Sequence, residues 1–275
     1  MVASNDRAGR ADGTSWSTTT SWWSGSGGGA GGAPVSYNSS TSRVVDTEDT
    51  AVRQDAGMTY SGNVQAGGPA EERDLPALTI TKLAVGPMDN NAYLVRCRDT
   101  GEGLLIDAAN EADRLLDLVG DVPLATVVTT HQHPDHWQAL RAVVEATGAR
   151  TVAHPLDAGG IPVPADETVE HGDPVPVGRC SLSVIHLRGH TPGSIALRYD
   201  DPNGVTHLFT GDSLFPGGPG NTGKDPERFG SLMDDLEARV FAELYDDTWV
   251  YPGHGADTTL GAERPSIPEW RARGW

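Results

Sequence analysis

From residue 78 onward the chain breaks into short apolar runs separated by polar turns. Segments 78–85, 92–97 and 103–106 alternate or run apolar and predict strands, the last ending at Asp107. Within 110–119, Ala112, Leu115, Leu116 and Val119 recur at helical spacing and share one face. Segment 125–130 is β-branched and reads as a strand. Segment 137–146 repeats apolar residues at Trp137, Leu140, Val143 and Val144, a helix closed by Gly148. Further strands are expected at 150–153, 179–187, 194–199 and 206–210. The strongest helical signal follows, with Asp225 as cap, Pro226 in first position and Phe229, Leu232, Met233, Leu236, Val240 and Leu244 on one stripe. A last short strand falls at 248–251. Strands in runs with helices between them predict a layered α/β domain, not a simple βαβ repeat.

Residues 1–57 break the pattern. Segment 15–26 mixes Ser, Thr and Trp, 25–32 is nearly all Gly, and 36–42 is polar again. Such a stretch lacks the apolar surface to offset its ordering entropy, so a disordered tail over 1–57 is expected before a folded domain over 58–275. Trp16, Trp22 and Trp23 lie there without periodicity. Arg7 and Arg10 are followed by no apolar run, so this is no secretory signal. Met58 is a candidate natural start, which an intact-mass measurement on native protein would test. The chain carries 38 acidic and 20 basic residues, a net charge of −18. That balance opposes phosphate-backbone binding by counterion release, so no nucleic-acid partner is expected. No apolar run is long enough to span a membrane. Two cysteines, Cys97 and Cys180, lack zinc-ribbon spacing and fit a reduced, cytoplasmic protein.

The histidines carry the chemistry. Directly after the 125–130 strand come His131, Gln132, His133, Pro134, Asp135 and His136: four potential metal ligands in six residues. Imidazole nitrogens and a carboxylate suit borderline cations such as Zn²⁺. In an extended segment residues two apart point the same way, so His131 and His133 can grip one ion. The following turn can aim Asp135 and His136 at a second. Three more candidates each end an apolar strand in a Gly-rich turn: His190, Asp212 and His254. The other four, His154, His171, His186 and His207, lack partners at ligand spacing and read as packing or surface residues. Of these, His186 is placed to support the site.

This series of motifs resembles the metallo-β-lactamase-fold hydrolase superfamily. The strings Gly189-His190-Thr191-Pro192-Gly193-Ser194 and Thr210-Gly211-Asp212-Ser213-Leu214-Phe215 are most similar to its glyoxalase II (hydroxyacylglutathione hydrolase) branch. The resemblance covers about 78–275 and implies an αββα sandwich with metals at one edge between the sheets. It implies that His131, His133 and His190 hold one metal, Asp135, His136 and His254 the other, and that Asp212 bridges both. Asp107 would be an acidic residue orienting the site from behind the ligands. Two divalent ions, Zn by this donor set with Fe or Mn as alternatives, can acidify a shared water to a pKa of about 7. The resulting hydroxide attacks a carbonyl carbon, and Asp135 can orient the nucleophile in a one-metal variant.

The substrate is narrowed by departures from the family pattern. Commoner class B lactamases carry Cys where Asp212 stands, which disfavours antibiotics. Only 21 residues follow His254, and the Gly-Cys-Gly-Arg stretch expected after the bridging Asp is replaced by Gly217-Gly218-Pro219-Gly220-Asn221, so glutathione need not be the thiol carrier. A small thioester or ester is the expected substrate, with Lys224 or Arg228 as the group meeting a substrate carboxylate and Asn90, Asn91 and Tyr93 near the mouth. The alternative is a mononuclear-iron persulfide dioxygenase of the same fold.

Overall fold

Residues 60–274 are described by a computed structural model. The tail over 1–57, its Trp16, Trp22 and Trp23, and the candidate start at Met58 lie outside the described residues. Two sheets form the centre. The first contains β1 (Glu71–Asp74), β2 (Leu78–Val85), β3 (Asn90–Cys97), β4 (Gly103–Ile106), β5 (Leu124–Val128), β6 (Arg150–Ala153) and β7 (Glu167–Thr168), in that spatial order. The second adds β8 (Pro174–Val177), β9 (Cys180–His186), β10 (Ile195–Asp200) and β11 (Thr206–Gly211). After the small hairpin β12 (Leu214–Phe215) and β13 (Gly218–Pro219), it is completed by β14 (Trp249–Pro252) and β15 (Thr258–Thr259), in the order β15-β14-β11-β10-β9-β8.

The period of two along each strand decides the layers. In β2, Leu78 and Ile80 face inward and join Tyr93, Val95, Ile106 and Val128 against Val184, Leu197, Phe209 and Tyr251 of the second sheet. Leu83 and Val85 face outward, under α1 (Ala112–Val119) and α2 (Leu140–Thr147), which contribute Leu115, Val119, Leu140 and Val143. After the short α3 (Pro155–Ala158), α4 (Pro226–Leu236) and the π-turn Glu237–Phe241 cover the other outer face. Leu232, Met233, Leu236 and Val240 form that cover, joined by Trp270 of α6 (Ile267–Arg273), which follows α5 (Leu260–Glu263). The result is the expected αββα sandwich. No described helix is long and apolar enough to cross a membrane.

Local chemistry explains where expectation and structure part. Asp225 caps α4 as predicted, its Oδ1 accepting from Glu227 N and Arg228 N at 2.9 and 3.1 Å. Gly148 closes α2 in the left-handed region at φ 71°. The helix expected from Trp137 starts only at Leu140. Trp137 is bound into the preceding 3₁₀ turn, its main-chain N–H reaching Pro134 O and its indole N–H reaching Gln132 O. β5 ends at Val128 rather than at Thr130 because Thr130 N–H donates to the Asp107 carboxylate instead of to a ladder partner.

Candidate metal centre

β4, β5 and β6 run parallel in the first sheet, and β11 and β14 run parallel in the second. Their carboxyl ends lie at the same edge, the place where open α/β sheets usually bind ligands. Asp107 follows β4, His131 to His136 follow β5, Asp212 follows β11 and His254 follows β14, while His190 sits in the β9–β10 turn. The seven residues singled out from sequence meet there. Three groups can be drawn with all donor atoms within 4.8 Å of one another: His131, His133 and His190; Asp135, His136 and His254; and His131, His136 and Asp212.

The spacings are informative. His131 Nε2 lies 3.1 Å from His133 Nδ1 and 3.2 Å from His190 Nε2. His254 Nε2 lies 3.3 Å from both His136 Nε2 and Asp135 Oδ2. Asp212 stands between the groups, its Oδ2 3.5 Å from both His190 Nε2 and His254 Nε2 and its Oδ1 3.4 Å from His136 Nε2. A tetrahedral cation with ligand bonds of about 2.0–2.1 Å has edges of about 3.3–3.4 Å. Asp212 Oδ1 is buried and makes no hydrogen bond, which an apolar or purely structural site would not tolerate cheaply. A Cβ at Gly253 would collide with that oxygen, so the approach of β14 to Asp212 requires glycine. By donor type, spacing and orphaned oxygen, these residues fit a cation pair.

Three of the histidines, His136, His190 and His254, are turned inward by a partner on the far side of the ring. His136 Nδ1 donates to Asp107 Oδ2 at 2.8 Å in a fully buried contact. Asp107 occupies the left-handed region at φ 59° and also accepts from Thr130 N and Thr130 Oγ1. His190 Nδ1 donates to Asn221 O and His254 Nδ1 to Met88 O, at 2.8 and 2.9 Å. Such partners fix tautomer and ring angle. Burial pushes His190 toward the neutral form, and His131 further. Burial acts the same way on His136, but Asp107 and Asp212 outweigh it and raise the ring to about 10. Burial also opposes the charge on Asp212, yet His136 and His254 hold it well below the usual carboxylate range.

The sequence missed one organiser. Asp157, fully buried in α3, accepts from Gln132 N, Thr191 Oγ1 and Gly193 N, joining the His131–His133 loop to the His190 turn. No local motif marks it, because its partners lie 25 to 36 residues away. His186 supports the same turn through Pro192 O while stacking on His154 at 4.0 Å. Asn90 is part of the cluster, donating to Asp135 Oδ2 at 2.9 Å. Asn91 and Tyr93 do not reach the mouth. They are buried and hold Pro252 O from inside, and Asn91 also holds Gly255 O. Arg228 donates to Gly189 O and His190 O, so it positions the His190 turn. Lys224 is exposed at φ 60° in the turn before α4.

Comparison with known proteins agrees with this geometry. A hydroxyacylglutathione hydrolase of Polaromonas sp. is 38% identical over 169 residues, which cover 60% of this chain and 62% of that one. The match therefore spans about three-fifths of the relative's length. The crystal structure of ETHE1 from Myxococcus xanthus superposes with a TM-score of 0.62 at 32% identity, covering 70% of this chain and 84% of that one. TTHA1623, solved in a di-iron-bound form, gives a TM-score of 0.56 at 33% identity, covering 68% and 98%. The family model described as the metallo-beta-lactamase superfamily matches residues 85–254, which hold all seven clustered side chains, and the chain belongs to that superfamily.

Proposed function

We propose that the chain is a dinuclear, metal-dependent hydrolase of thioesters or other small esters. One observation carries the reading: seven side chains from four loops converge at tetrahedral-edge spacing around a buried Asp212 oxygen that makes no hydrogen bond. His131, His133 and His190 would hold one cation and Asp135, His136 and His254 the other, with Asp212 shared. Zinc suits this donor set best, and iron or manganese fits it too. When bound, such a pair supplies positive charge that polarises a carbonyl and a water acidic enough to react at neutral pH.

The chain's own residues set the geometry for that chemistry. Asp107 keeps His136 presenting Nε2, and the carbonyls of Asn221 and Met88 do the same for His190 and His254. Asn90 holds Asp135 Oδ2, so the second Asp135 oxygen can orient a nucleophile and take its proton. Met88 is 54% exposed, and the Phe215 ring lies 6.3 Å from that of His254. Together they give this side of the site an apolar wall suited to an acyl chain. Arg228 being committed to main-chain carbonyls, Lys224 is the remaining candidate for a substrate carboxylate, an idea ended by an unchanged KM in Lys224→Ala across thioesters. A small-molecule substrate, no nucleic-acid partner and a cytoplasmic setting belong to the same reading.

Metal analysis with a thioester panel tests it. Two cations per chain are expected, with turnover lost on chelation and restored by Zn²⁺. The second reading, a mononuclear-iron persulfide dioxygenase, draws its support from the ETHE1 neighbour. One iron per chain and oxygen consumption with a persulfide, without thioester turnover, would replace the first reading by the second.

A further inference from the structure

The two cysteines sit far from the ligand cluster, at the opposite ends of strands that serve it. β3 begins with Asn90, which touches Asp135, and ends with Cys97. β9 ends with His186, which braces the His190 turn, and begins with Cys180. At about 3.3 Å per residue, Cys97 lies roughly 23 Å along β3 from Asn90. Cys97 belongs to the first sheet and Cys180 to the second, and both are free thiols.

They meet across the sandwich. Arg179 N–H points at Cys97 Sγ at 3.5 Å, one residue before Cys180, and the Cys180 thiol donates to Ala77 O at 3.8 Å, next to Leu78, the register partner of Cys97. A Cβ at Gly178, itself at φ 58°, would stand 2.8 Å from Cys97 Sγ, so the β8–β9 turn closes over this sulfur only with glycine. Burial pushes the Cys97 thiol up, but donors from the Thr100 side chain and from the main chain of Arg179, Thr100 and Asp99 outweigh it and bring it down to about 7. Cys180 is pushed up, first by burial and then by Cys97 itself. Cys97 is 1% exposed and lies in the lining of a surface cavity of about 230 Å³ with Asp74, Thr79, Arg96, Arg98 and Gly101. This is the arrangement of a nucleophilic thiolate with a resolving thiol beside it.

We propose that Cys97 and Cys180 form a peroxide-sensitive dithiol whose oxidation ties the first sheet to the second. The Cys97 thiolate attacks one oxygen of hydrogen peroxide. An S–O bond forms, the O–O bond breaks and hydroxide leaves, giving a sulfenic acid. Cys180 sulfur then attacks the Cys97 sulfur, the S–S bond forms, the S–O bond breaks, and the Cys180 proton leaves with the oxygen as water. Two electrons pass from the thiols to peroxide, and a thiol reductant reverses the change.

The test uses the full chain and needs no substrate. After limited peroxide, intact mass is expected to fall by two hydrogens, peptide mapping to link Cys97 with Cys180, and the thermal midpoint to rise by about 5–10 °C, reversibly with dithiothreitol. Cys180→Ser should stop at a Cys97 sulfenic acid trapped by dimedone, and Cys97→Ser should leave Cys180 unmodified at the same dose. Alkylation of Cys97 by iodoacetamide should rise with a midpoint near pH 7. Retention of both thiols in the wild-type chain, linkage between two chains instead of within one, or first oxidation at Cys180 would each overturn the proposal.

Discussion

The two halves of the ligand cluster are built differently. His131, His133 and His190 are all imidazoles, and a single buried carboxylate, Asp157, stitches their two loops together through Gln132, Thr191 and Gly193. Asp135, His136 and His254 include a carboxylate, and their supports come from different segments: Asn90 for Asp135, with a further contact to His254 Nε2 at 3.4 Å, Asp107 for His136, and Met88 O for His254. Behind His254 lies a further device. Lys82 faces the sandwich interior and donates to Gly62 O, Gly255 O and Asp257, an ion pair at 2.6 Å whose side chains are 0% and 2% exposed. Asp257 also accepts from Tyr60 and Trp249. Asp157 thus links the two loops of the first half, beside Arg228 and Asn221 O on the His190 turn, whereas the second half draws its supports from three different segments. Asp212 touches both, lying within 3.5 Å of His190 in the first half and of His136 and His254 in the second.

Removing Asp212 should therefore break the comparison outright. Asp212→Ala is expected to drop metal content from two cations to one or fewer and thioester turnover by more than about 1,000-fold, well past the 10–100-fold that losing an outer partner costs. Metal analysis beside initial rates would show it, and retention of both cations would remove Asp212 from its shared role. Next in size, Asp257→Ala leaves the Lys82 charge buried without its partner, at a cost of about 3–5 kcal/mol read by urea unfolding. Lys82→Met combined with Asp257→Leu should recover most of it. If the single variant is as stable as the wild type, the strut behind His254 is not structural.

Asp107→Asn and Asp157→Asn sharpen the contrast. Each should weaken metal binding by about 10–100-fold in chelator competition. The first should act on the cation held by His136, the second on the cation held by His131, His133 and His190. Equal effects on both cations from either variant would mean that the halves are not separately supported. The smallest effect concerns His207, buried far from the ligands with Nδ1 on Tyr251 Oη at 2.9 Å. Burial, then Arg73, depress its pKa to about 4. The folded state therefore resists a proton that the unfolded chain accepts below about 6.5, so stability is full above that pH and is lost as pH falls toward 4. The loss at pH 5 relative to pH 8 is about 2 kcal/mol, and His207→Gln should flatten that part of the unfolding profile.

The strands and the ligand positions were legible because both are local. Short apolar runs, buried almost throughout, drew β2, β4 and β6 to the residue, and the run from His131 to His136 carries four ligands in one turn. β1, β7 and β15 were not legible: they are two to four residues of Glu, Arg, Asp and Thr with none buried, so no apolar signal marks them. Trp137 misled for a related reason, since an apolar residue at helical spacing gives no sign that its two N–H groups are spent on the turn before it.

By itself the sequence determined which residue types could ligate a cation and at which strand ends they would stand. Tertiary structure alone decided that Asp157 joins two loops, that Arg228 serves main-chain carbonyls, that Asn91 and Tyr93 work from inside, and that the turn before Cys180 closes on Cys97. The reason is physical. Side-chain alternation and turn chemistry act between near neighbours, whereas a buried carboxylate or thiol takes its partners from whatever packing brings to it. Those partners sit on different sheets, tens of residues apart in the chain.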